Sequence, residues 1–173
     1  MLDHATLASR VKAVALLEGD FTLRSGKKSK FYFDKYLFET QPDILETMGH
    51  EIARRIPAGT ARIAGPELGA VALAAAASLA SRLPFFIVRN AKKDYGTAKQ
   101  IEGLLKPGES VILVEDIITT GGQVVEAIKT IRAAGATVAK VIVALDRQEG
   151  GRENIEKEGV PVEAVLTKGD LGM

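Results

Sequence analysis

One run of the chain, residues 111–122, indicates a strand, a turn and a helix in direct succession. Residues 111–114 are Val, Ile, Leu and Val, a continuously apolar stretch typical of a strand that is covered on both faces, as in a parallel sheet. The acids Glu115 and Asp116 follow, and hydroxyl and glycine residues at 119–122 lead into a helical repeat at 123–128. The run therefore predicts a strand–turn–helix unit with polar groups at the turn.

The same turn has the chemistry of a sugar phosphate site. Glycines allow the backbone to approach a ligand, and the unpaired N–H groups of a first helical turn favour an anion. Carboxylates would repel a phosphate, but they accept hydrogen bonds from hydroxyls. We therefore expect residues 119–122 to bind a phosphate and Glu115 and Asp116 to bind two ribose hydroxyls. The alternative is an ordinary strand–turn–helix in which a threonine only caps the helix.

Helices and strands are predicted to alternate along the chain, without a linker or an internal repeat. Such alternation implies right-handed crossovers and an α/β fold with a mainly parallel central sheet. The length of 173 residues and the hydrophobic content of 46% suit a single domain over residues 1–173. Helices are predicted near residues 7–15, 42–52, 69–83, 122–134 and 153–158, and strands near 21–23, 31–33, 61–64, 85–88, 111–114, 138–145 and 162–166.

Charged residues directly follow several of the predicted strands. Arg89 follows one strand, Glu115 and Asp116 follow the next, and Asp146 and Arg147 follow a third. In open parallel sheets, ligands bind beyond the carboxyl ends of the strands. We therefore expect these side chains to converge on one edge of the sheet, although Arg147 could instead form a surface ion pair.

Composition excludes several classes of site. The net charge of +1 argues against a surface that binds nucleic acid, and the absence of cysteine excludes disulfides and thiolate metal sites. His4 and His50 are too few and too far apart in sequence to predict a histidine-rich metal cluster. The longest apolar stretch, residues 70–77, is too short for a membrane span, and no signal peptide is predicted. A cytoplasmic protein with no membrane contact is expected.

A long polar segment, residues 89–103, joins two predicted buried strands. It exceeds the typical length of α/β connections, and such loops are often lids or binding loops. Arg89 and three lysines make it cationic, and Gly96 and Gly103 could act as hinges. A mobile cationic lid suits a pyrophosphate group, whose charge grows as its bond to a sugar breaks. The alternative is a solvated surface loop.

The run at residues 111–122 resembles the phosphoribosyl-diphosphate (PRPP) signature of type I phosphoribosyltransferases, in which an apolar strand ends in two acids and a Thr-Thr-Gly-Gly type loop. It lacks the Gly-Lys-Ser or Gly-Lys-Thr of a Walker A loop. Three further segments resemble the orotate phosphoribosyltransferases within that group. They are the N-terminal segment 21–29, the loop motifs at 93–96 and 101–103, and the Asp-Arg strand end at 145–151.

This resemblance implies a fold, a reaction and an assembly. The fold would be that of type I phosphoribosyltransferases, with residues 1–40 including a small N-terminal hood and with a flexible lid. The enzyme would convert orotate and PRPP into orotidine 5′-monophosphate and pyrophosphate, a step of pyrimidine synthesis. Mg²⁺ would travel with PRPP, held by its oxygens and by water with no direct protein ligand. The enzyme would be a homodimer whose lids reach the neighbouring sites.

The resemblance also implies roles for residues at matching positions. PRPP would be bound by Arg89, Lys93, Tyr95, Glu115, Asp116, Ile117, Ile118, Thr119, Thr120, Gly121, Gly122 and Gln123. Lys93 and Asp116 would be catalytic, Lys93 on the leaving pyrophosphate and Asp116 on the cationic sugar. Orotate would be bound by Arg24, Tyr32, Phe33, Thr119 and Arg147, the last through a forked contact with the carboxylate. Since strand neighbours point to opposite faces, Tyr32 or Phe33 could instead be a core residue.

Four positions depart from the family pattern. Many relatives have an aromatic-lysine pair where this chain has Leu68 and Gly69, a second basic residue where it has Asn90, and a histidine where it has Tyr95. These changes leave the catalytic efficiency open. A purine-type phosphoribosyltransferase and a PRPP-sensing, nucleic-acid-binding regulator are the alternatives. The low net charge and the lack of room for a helix-turn-helix argue against the regulator.

Overall fold

A computed structural model describes residues 1–22, 26, 28–90 and 100–173, and in these ranges the chain forms six helices and eight strands. In chain order they are α1 (His4–Ala15), β1 (Leu16–Thr22), β2 (Lys28–Phe33), α2 (Lys35–Glu39), α3 (Pro42–Ala53), β3 (Arg62–Pro66), α4 (Gly69–Ser81), β4 (Phe85–Val88), β5 (Ile101–Glu102), β6 (Ser110–Ile118), α5 (Gly122–Ala133), β7 (Thr137–Asp146), α6 (Gly151–Glu156) and β8 (Val162–Thr167).

The larger sheet has the strand order β5-β4-β3-β6-β7-β8. All neighbouring pairs are parallel except β4 and β5, which are antiparallel. The prediction of a mainly parallel sheet is therefore confirmed. Strands β1 and β2 form a separate antiparallel pair at the position predicted for the N-terminal hood. Within the described ranges, no helix combines the length and apolar character that crossing a membrane requires.

Strand β6 is buried on both faces, as its apolar run predicts. Ile112 and Val114 pack into a core formed with α1–α4, whereas Val111 and Leu113 pack into a second core formed with α5 and α6. Strand alternation produces this division, because successive side chains point to opposite faces. The parallel sheet therefore lies between two helical layers, and the carboxyl ends of its strands remain open for a site.

Strand β6 is longer than the apolar run indicates. It continues through Glu115 and Asp116 to Ile118, because Ile117 and Ile118 still pair with Leu145 and Asp146 of β7. The expectation that the two acids follow the strand is therefore wrong, and they lie inside it. This position explains their burial, since both faces of the strand are covered.

The base of the cationic segment is closed by the sheet. Val88 pairs with Ile101 across β4 and β5, and the backbone N–H of Arg89 donates to the carbonyl oxygen of Gln100 at 2.7 Å. Strand β5 is only two residues long, too short for a periodic pattern, so the sequence does not predict it. The lid predicted from the lysines and Gly96 falls mainly on residues 91–99, which lie outside the described residues.

Candidate active site

The turn after β6 forms a loop, residues 119–122, that we call the glycine loop. It leads into α5, and a cavity of about 190 Å³ lies over it, lined by Glu115 and residues 117–124. Gly121 has a φ of +75°, and a Cβ at this position would lie 2.7 Å from the backbone oxygen of Gly151. The close approach of these two backbones therefore requires glycine. The cavity is lined by backbone at the amino end of a helix, which suits a phosphate group.

The strand end of β7 packs against the glycine loop. The backbone N–H of Arg147 donates to the carbonyl oxygen of Ile118 at 3.1 Å, so Arg147 begins at the same edge as the loop. Its guanidinium Nε lies 3.1 Å from Glu149 Oε1. Asp146 is buried and lies 3.3 Å from the Nε of Arg152. The predicted convergence of the β6 and β7 strand ends is therefore present in the structure.

Arg89 lies on the other side of the glycine loop. It lines a cavity of about 280 Å³ together with Gly122 and Gln123, at the start of α5. Its guanidinium Nε is buried without a hydrogen-bond partner, 4.0 Å from a carboxylate oxygen of Glu67. Asn90 donates to Glu67 through its backbone N–H at 2.9 Å. Glu67 therefore fixes the start of the segment that follows β4.

The two acids of β6 have different surroundings. Glu115 is 7% exposed and lines the cavity of the glycine loop, and its Oε2 is buried without a partner. Burial and the adjacent charge of Asp116 raise the pKa of Glu115 well above its ordinary value. Asp116 is 2% exposed, and its Oδ1 accepts a hydrogen bond from the backbone N–H of Ile117 at 2.5 Å. Its Oδ2 receives the ammonium of Lys35 at 2.6 Å.

Helix α2 contributes a third buried carboxyl. Glu39 is 3% exposed, and its Oε1 has no hydrogen-bond partner. Burial and repulsion by Asp116 raise the pKa of Glu39 to about 8. Gly69, the first residue of α4, provides the space for this arrangement, because a Cβ there would overlap Asp116 Oδ2 and lie 3.1 Å from Glu39 Oε1. We call Glu39, Glu115 and Asp116 the carboxylate cluster.

The hood aromatics point in two directions. Phe33 packs against the core, with its ring centroid 6.1 Å from that of Phe38. Tyr32 is exposed and lies beside Phe21, with ring centroids 5.5 Å apart. Of the two residues, Phe33 is therefore the one that packs as a core residue. Arg24, Lys93 and Tyr95 lie outside the described residues.

Comparisons with known proteins identify the family to which the chain is similar. The sequence pattern of the phosphoribosyl transferase domain matches residues 43–163. The orotate phosphoribosyltransferase of Methanocella arvoryzae is 51% identical over 153 residues, which cover 88% of this chain and 87% of that protein. The corresponding protein of Nocardioides sp. is 45% identical over 167 residues, covering 96% of this chain and 93% of that protein.

The chain belongs to the orotate phosphoribosyltransferase family.

A solved structure agrees with this assignment. The crystal structure of Mycobacterium tuberculosis orotate phosphoribosyltransferase in complex with PRPP matches with a TM-score of 0.85 at 30% identity, covering 99% of this chain and 100% of that one. The fold is therefore that of type I phosphoribosyltransferases, as the signature run predicts. The family name of these relatives favours orotate over the purine-type alternative and makes the chain an enzyme rather than a regulator.

Sequence reasoning assigned no part in the site to three neighbours of Asp116, namely Lys35, Glu39 and Gly69. The motifs of orotate phosphoribosyltransferases in this chain do not include Lys35 or Glu39, and α2 is too short to show a helical period. A weak signal exists, because Lys35 and Glu39 are four residues apart and would share a helix face. The sequence predicts Gly69 as the start of a helix and as the position of a missing family cation, whereas the structure shows that its lack of a Cβ makes room for Asp116.

A direct protein site for Mg²⁺ is not found among the described residues, since no group of three or more acidic or histidine side chains there could hold a metal ion. The buried, unpartnered Oε2 of Glu115 is a hard oxygen at the mouth of the glycine loop. A carboxyl oxygen is a donor of the type that Mg²⁺ prefers.

Proposed function

We propose that the chain carries out its family's reaction at the edge formed by the glycine loop and the carboxylate cluster. In that reaction the 5-phosphoribosyl group of PRPP passes to orotate, giving orotidine 5′-monophosphate and pyrophosphate, a step of pyrimidine biosynthesis. The observation that carries this proposal is the cavity over the glycine loop, with backbone at a helix start on one side and a buried acid on the other. A phosphorylated ribose has a phosphate at one end, which matches the helix start, and hydroxyls on its ring, which match the buried acid.

The 5′-phosphate is proposed to bind in the glycine loop. The backbone N–H groups at the start of α5 have no partners within the helix and are available to an anion. The hydroxyls of Thr119 and Thr120 and the amides of Gly121 and Gly122 are the proposed donors, with Ile117, Ile118 and Gln123 completing the wall of the cavity. The partial positive charge of the helix start adds to this attraction.

The ribose hydroxyls are proposed to bind to the acid pair. Burial and Asp116 raise the pKa of Glu115 well above its ordinary value, which favours the neutral carboxyl, and a neutral carboxyl can both accept and donate hydrogen bonds. Asp116 is paired with Lys35 and accepts hydrogen bonds as a carboxylate. Its negative charge also faces the sugar, whose anomeric carbon becomes cationic as pyrophosphate leaves. Asp116 is therefore the proposed stabiliser of that charge.

Pyrophosphate is proposed to leave toward Arg89 and the following segment. Arg89 lies beside the start of α5, next to the phosphate cavity. Lys93 is the proposed donor of charge to the leaving group, and Tyr95 is a supporting donor. Mg²⁺ is proposed to accompany PRPP and, when bound, to neutralise part of the pyrophosphate charge. The protein itself orients the substrates and excludes water.

Orotate is proposed to bind between the hood and the β7 strand end. The guanidinium of Arg147 is the proposed partner of the orotate carboxylate, in exchange for its contact with Glu149. Tyr32 is exposed on the hood and can contact the ring, whereas Phe33 supports it from the core. Thr119 and Arg24 complete the proposed base site.

A base panel tests the reaction. Pyrophosphate release is measured with PRPP and Mg²⁺ in the presence of orotate, uracil, hypoxanthine or adenine. The expected result is release with orotate and background values with the other three. Strong release with adenine and none with orotate would overturn the base assignment while leaving the PRPP site in place.

Lys93→Ala tests the leaving-group role. Turnover is expected to fall by roughly a hundredfold or more, the scale of losing one preorganised donor at a developing anion. Circular dichroism and thermal unfolding should match wild type. A change in turnover within about a factor of two, small on a scale where tenfold is about 1.4 kcal/mol, would move the role to Lys92 or Lys99.

The proposed assembly is a homodimer whose lid serves the neighbouring site. Lys93→Ala and Asp116→Asn chains should then each be weak alone, and subunit exchange between them should restore activity. With random pairing, half of the dimers are mixed and each has one intact site of two, so activity should approach roughly a quarter of wild type. No recovery, despite mass-spectrometric proof of mixed dimers, would mean that each site takes both residues from one chain.

A further inference from the structure

Lys35 and Asp116 form an ion pair between elements that are 81 residues apart. The ammonium lies 2.6 Å from Asp116 Oδ2. The side chain of Lys35 is 33% exposed, whereas that of Asp116 is 2% exposed. Lys35 thus extends from the first position of α2 to a carboxylate that is otherwise enclosed. Among the salt bridges of the described residues, this is the one that Asp116 makes.

The pair leaves Asp116 able to accept more hydrogen bonds. An ionised carboxylate has about four lone-pair sites. One on Oδ1 receives the Ile117 N–H, and one on Oδ2 receives Lys35. These two hydrogen bonds use one site on each carboxylate oxygen. Lys35 fixes the direction of the carboxylate without using up its capacity for a sugar hydroxyl.

Within the carboxylate cluster, Lys35 places its positive charge at Asp116. Three carboxyls are buried together, and a buried negative charge without a partner is costly. Burial and the charge of Asp116 raise the pKa of Glu39 to about 8 and the pKa of Glu115 well above its ordinary value, which favours the neutral form of both. The net effect of burial and Asp116 on Lys35 is a raised pKa, so the ammonium stays charged. The Lys35 ammonium and the Asp116 carboxylate are in contact at 2.6 Å.

We propose that Lys35 is a positioning residue for PRPP binding, acting through its contact with Asp116. This inference rests on the proposed function, because it assigns Asp116 to the ribose. Lys35 is not proposed to touch the substrate. Its effect should therefore disappear when the carboxylate of Asp116 is removed.

A double-mutant cycle tests this dependence. Lys35→Met, Asp116→Asn and the double variant are compared with wild type for PRPP affinity by calorimetry and for kcat and the two KM values. In the wild-type background, Lys35→Met should weaken PRPP binding and raise its KM roughly tenfold, the scale of losing one hydrogen bond to a charged group. The KM for orotate should stay within about twofold. In the Asp116→Asn background, Lys35→Met should change PRPP affinity by less than about twofold.

Two further variants separate positioning from folding. Lys35→Arg keeps the cation and should recover PRPP affinity to within about threefold of wild type. Lys129→Met removes a comparable lysine, which pairs with Glu126 at 2.8 Å on the exposed surface of α5, and should change nothing. If Lys35→Met fails to fold, Lys35→Gln replaces it in the cycle.

The outcomes are distinguishable. Equal losses of PRPP affinity from Lys35→Met in both backgrounds would overturn the inference, because Lys35 would then act independently of Asp116. A tenfold loss that Lys35→Arg does not recover would also contradict it. If the wild-type protein binds PRPP but does not use orotate, only the assignment of the base is overturned. The calorimetric cycle then still reports on the role of Lys35. Wild-type protein that does not bind PRPP would remove both the inference and the proposed function.

Discussion

The glycine loop and the carboxylate cluster lie side by side but are built in opposite ways. The loop consists of four consecutive residues, and its proposed binding groups include backbone amides and a helix start. The cluster takes its side chains from α2 and β6, with space provided by the start of α4. One region is therefore local in sequence, and the other exists only after the sheet and its helical layer have packed together.

This contrast determines what each region tolerates. Replacing a side chain in the glycine loop leaves its backbone donors in place, so serious damage requires a change in backbone geometry. In the cluster, Asp116 carries the negative charge, and its neighbours Lys35 and Glu39 control how stable that buried charge is. The loop should therefore be most sensitive to added Cβ atoms, and the cluster to altered charge and volume.

Gly121→Ala should have the largest effect. A Cβ there would lie 2.7 Å from the backbone oxygen of Gly151, at a φ of +75° that also disfavours alanine. We expect kcat/KM for PRPP to fall roughly a hundredfold, the scale of a 1 Å displacement in a site. Gly108→Ala is the control, since its φ is +84° with nothing within 4 Å of a Cβ. It should lose stability but keep kcat/KM, and similar losses in both variants would contradict a backbone role for the loop.

Gly69→Ala should have a smaller effect, confined to the cluster. The new Cβ would displace Asp116 Oδ2 and crowd Glu39, so we expect the KM for PRPP to rise roughly tenfold and stability to fall by about 1–3 kcal/mol. Gly49→Ala is the matched control, because its Cβ would lie 2.8 Å from the backbone of Ala76, between α3 and α4. If both variants lose stability but neither changes the KM, Gly69 is a packing residue only.

Glu39→Gln should have the smallest effect on the use of PRPP, and its effect should be on the pH dependence of stability. The folded state holds the Glu39 proton more tightly than the unfolded chain, because burial and Asp116 raise its pKa from 4.5 to about 8, against the opposing charge of Lys35. The free energy of unfolding should therefore decrease as pH rises through this window, by up to about 1.4 kcal/mol per pH unit from this group. Glutamine has no such proton to lose, so the slope should flatten.

Chemical denaturation at several pH values measures this slope. Part of the slope should remain in the Glu39→Gln protein, because the pKa of Glu115 is also raised. The exposed Glu126→Gln on α5 is the control and should keep the wild-type slope. Identical slopes in Glu39→Gln and wild type would mean that Glu39 is ionised in the folded protein. The positive charge of Lys35 would then face the negative charges of both Glu39 and Asp116.

The sequence predicts the glycine loop well because its signal is local. A buried strand, a turn with glycines and a helical repeat follow one another within a few residues, and each has its own periodicity. The helix predicted near residues 122–134 ends at Ala133, and Gly135, two residues later, has the positive φ of +85° typical of a helix stop. The alternation of helices and strands likewise predicts the parallel sheet, because crossover handedness leaves few topologies.

The cluster could not be predicted in the same way. Its formation depends on which face of β6 carries Asp116 and on where α2 packs, and neither follows from spacing along the chain. The strand end was also misplaced, because the pairing of Ile117 and Ile118 with β7 is a tertiary interaction. The proposed roles of Lys93, Tyr95 and Arg24 rest on family resemblance and stay predictions.

The hydrogen bond between Arg89 and Gln100 has a consequence for the length of the segment between them. The ends of this segment are held 2.7 Å apart by the sheet, whatever its length. The entropy cost of closing a loop grows only logarithmically, by about 0.6 kcal/mol for each doubling of its length. Insertions between Asn90 and Gln100 should therefore cost the fold little. Folding therefore places little limit on how many residues this segment contains.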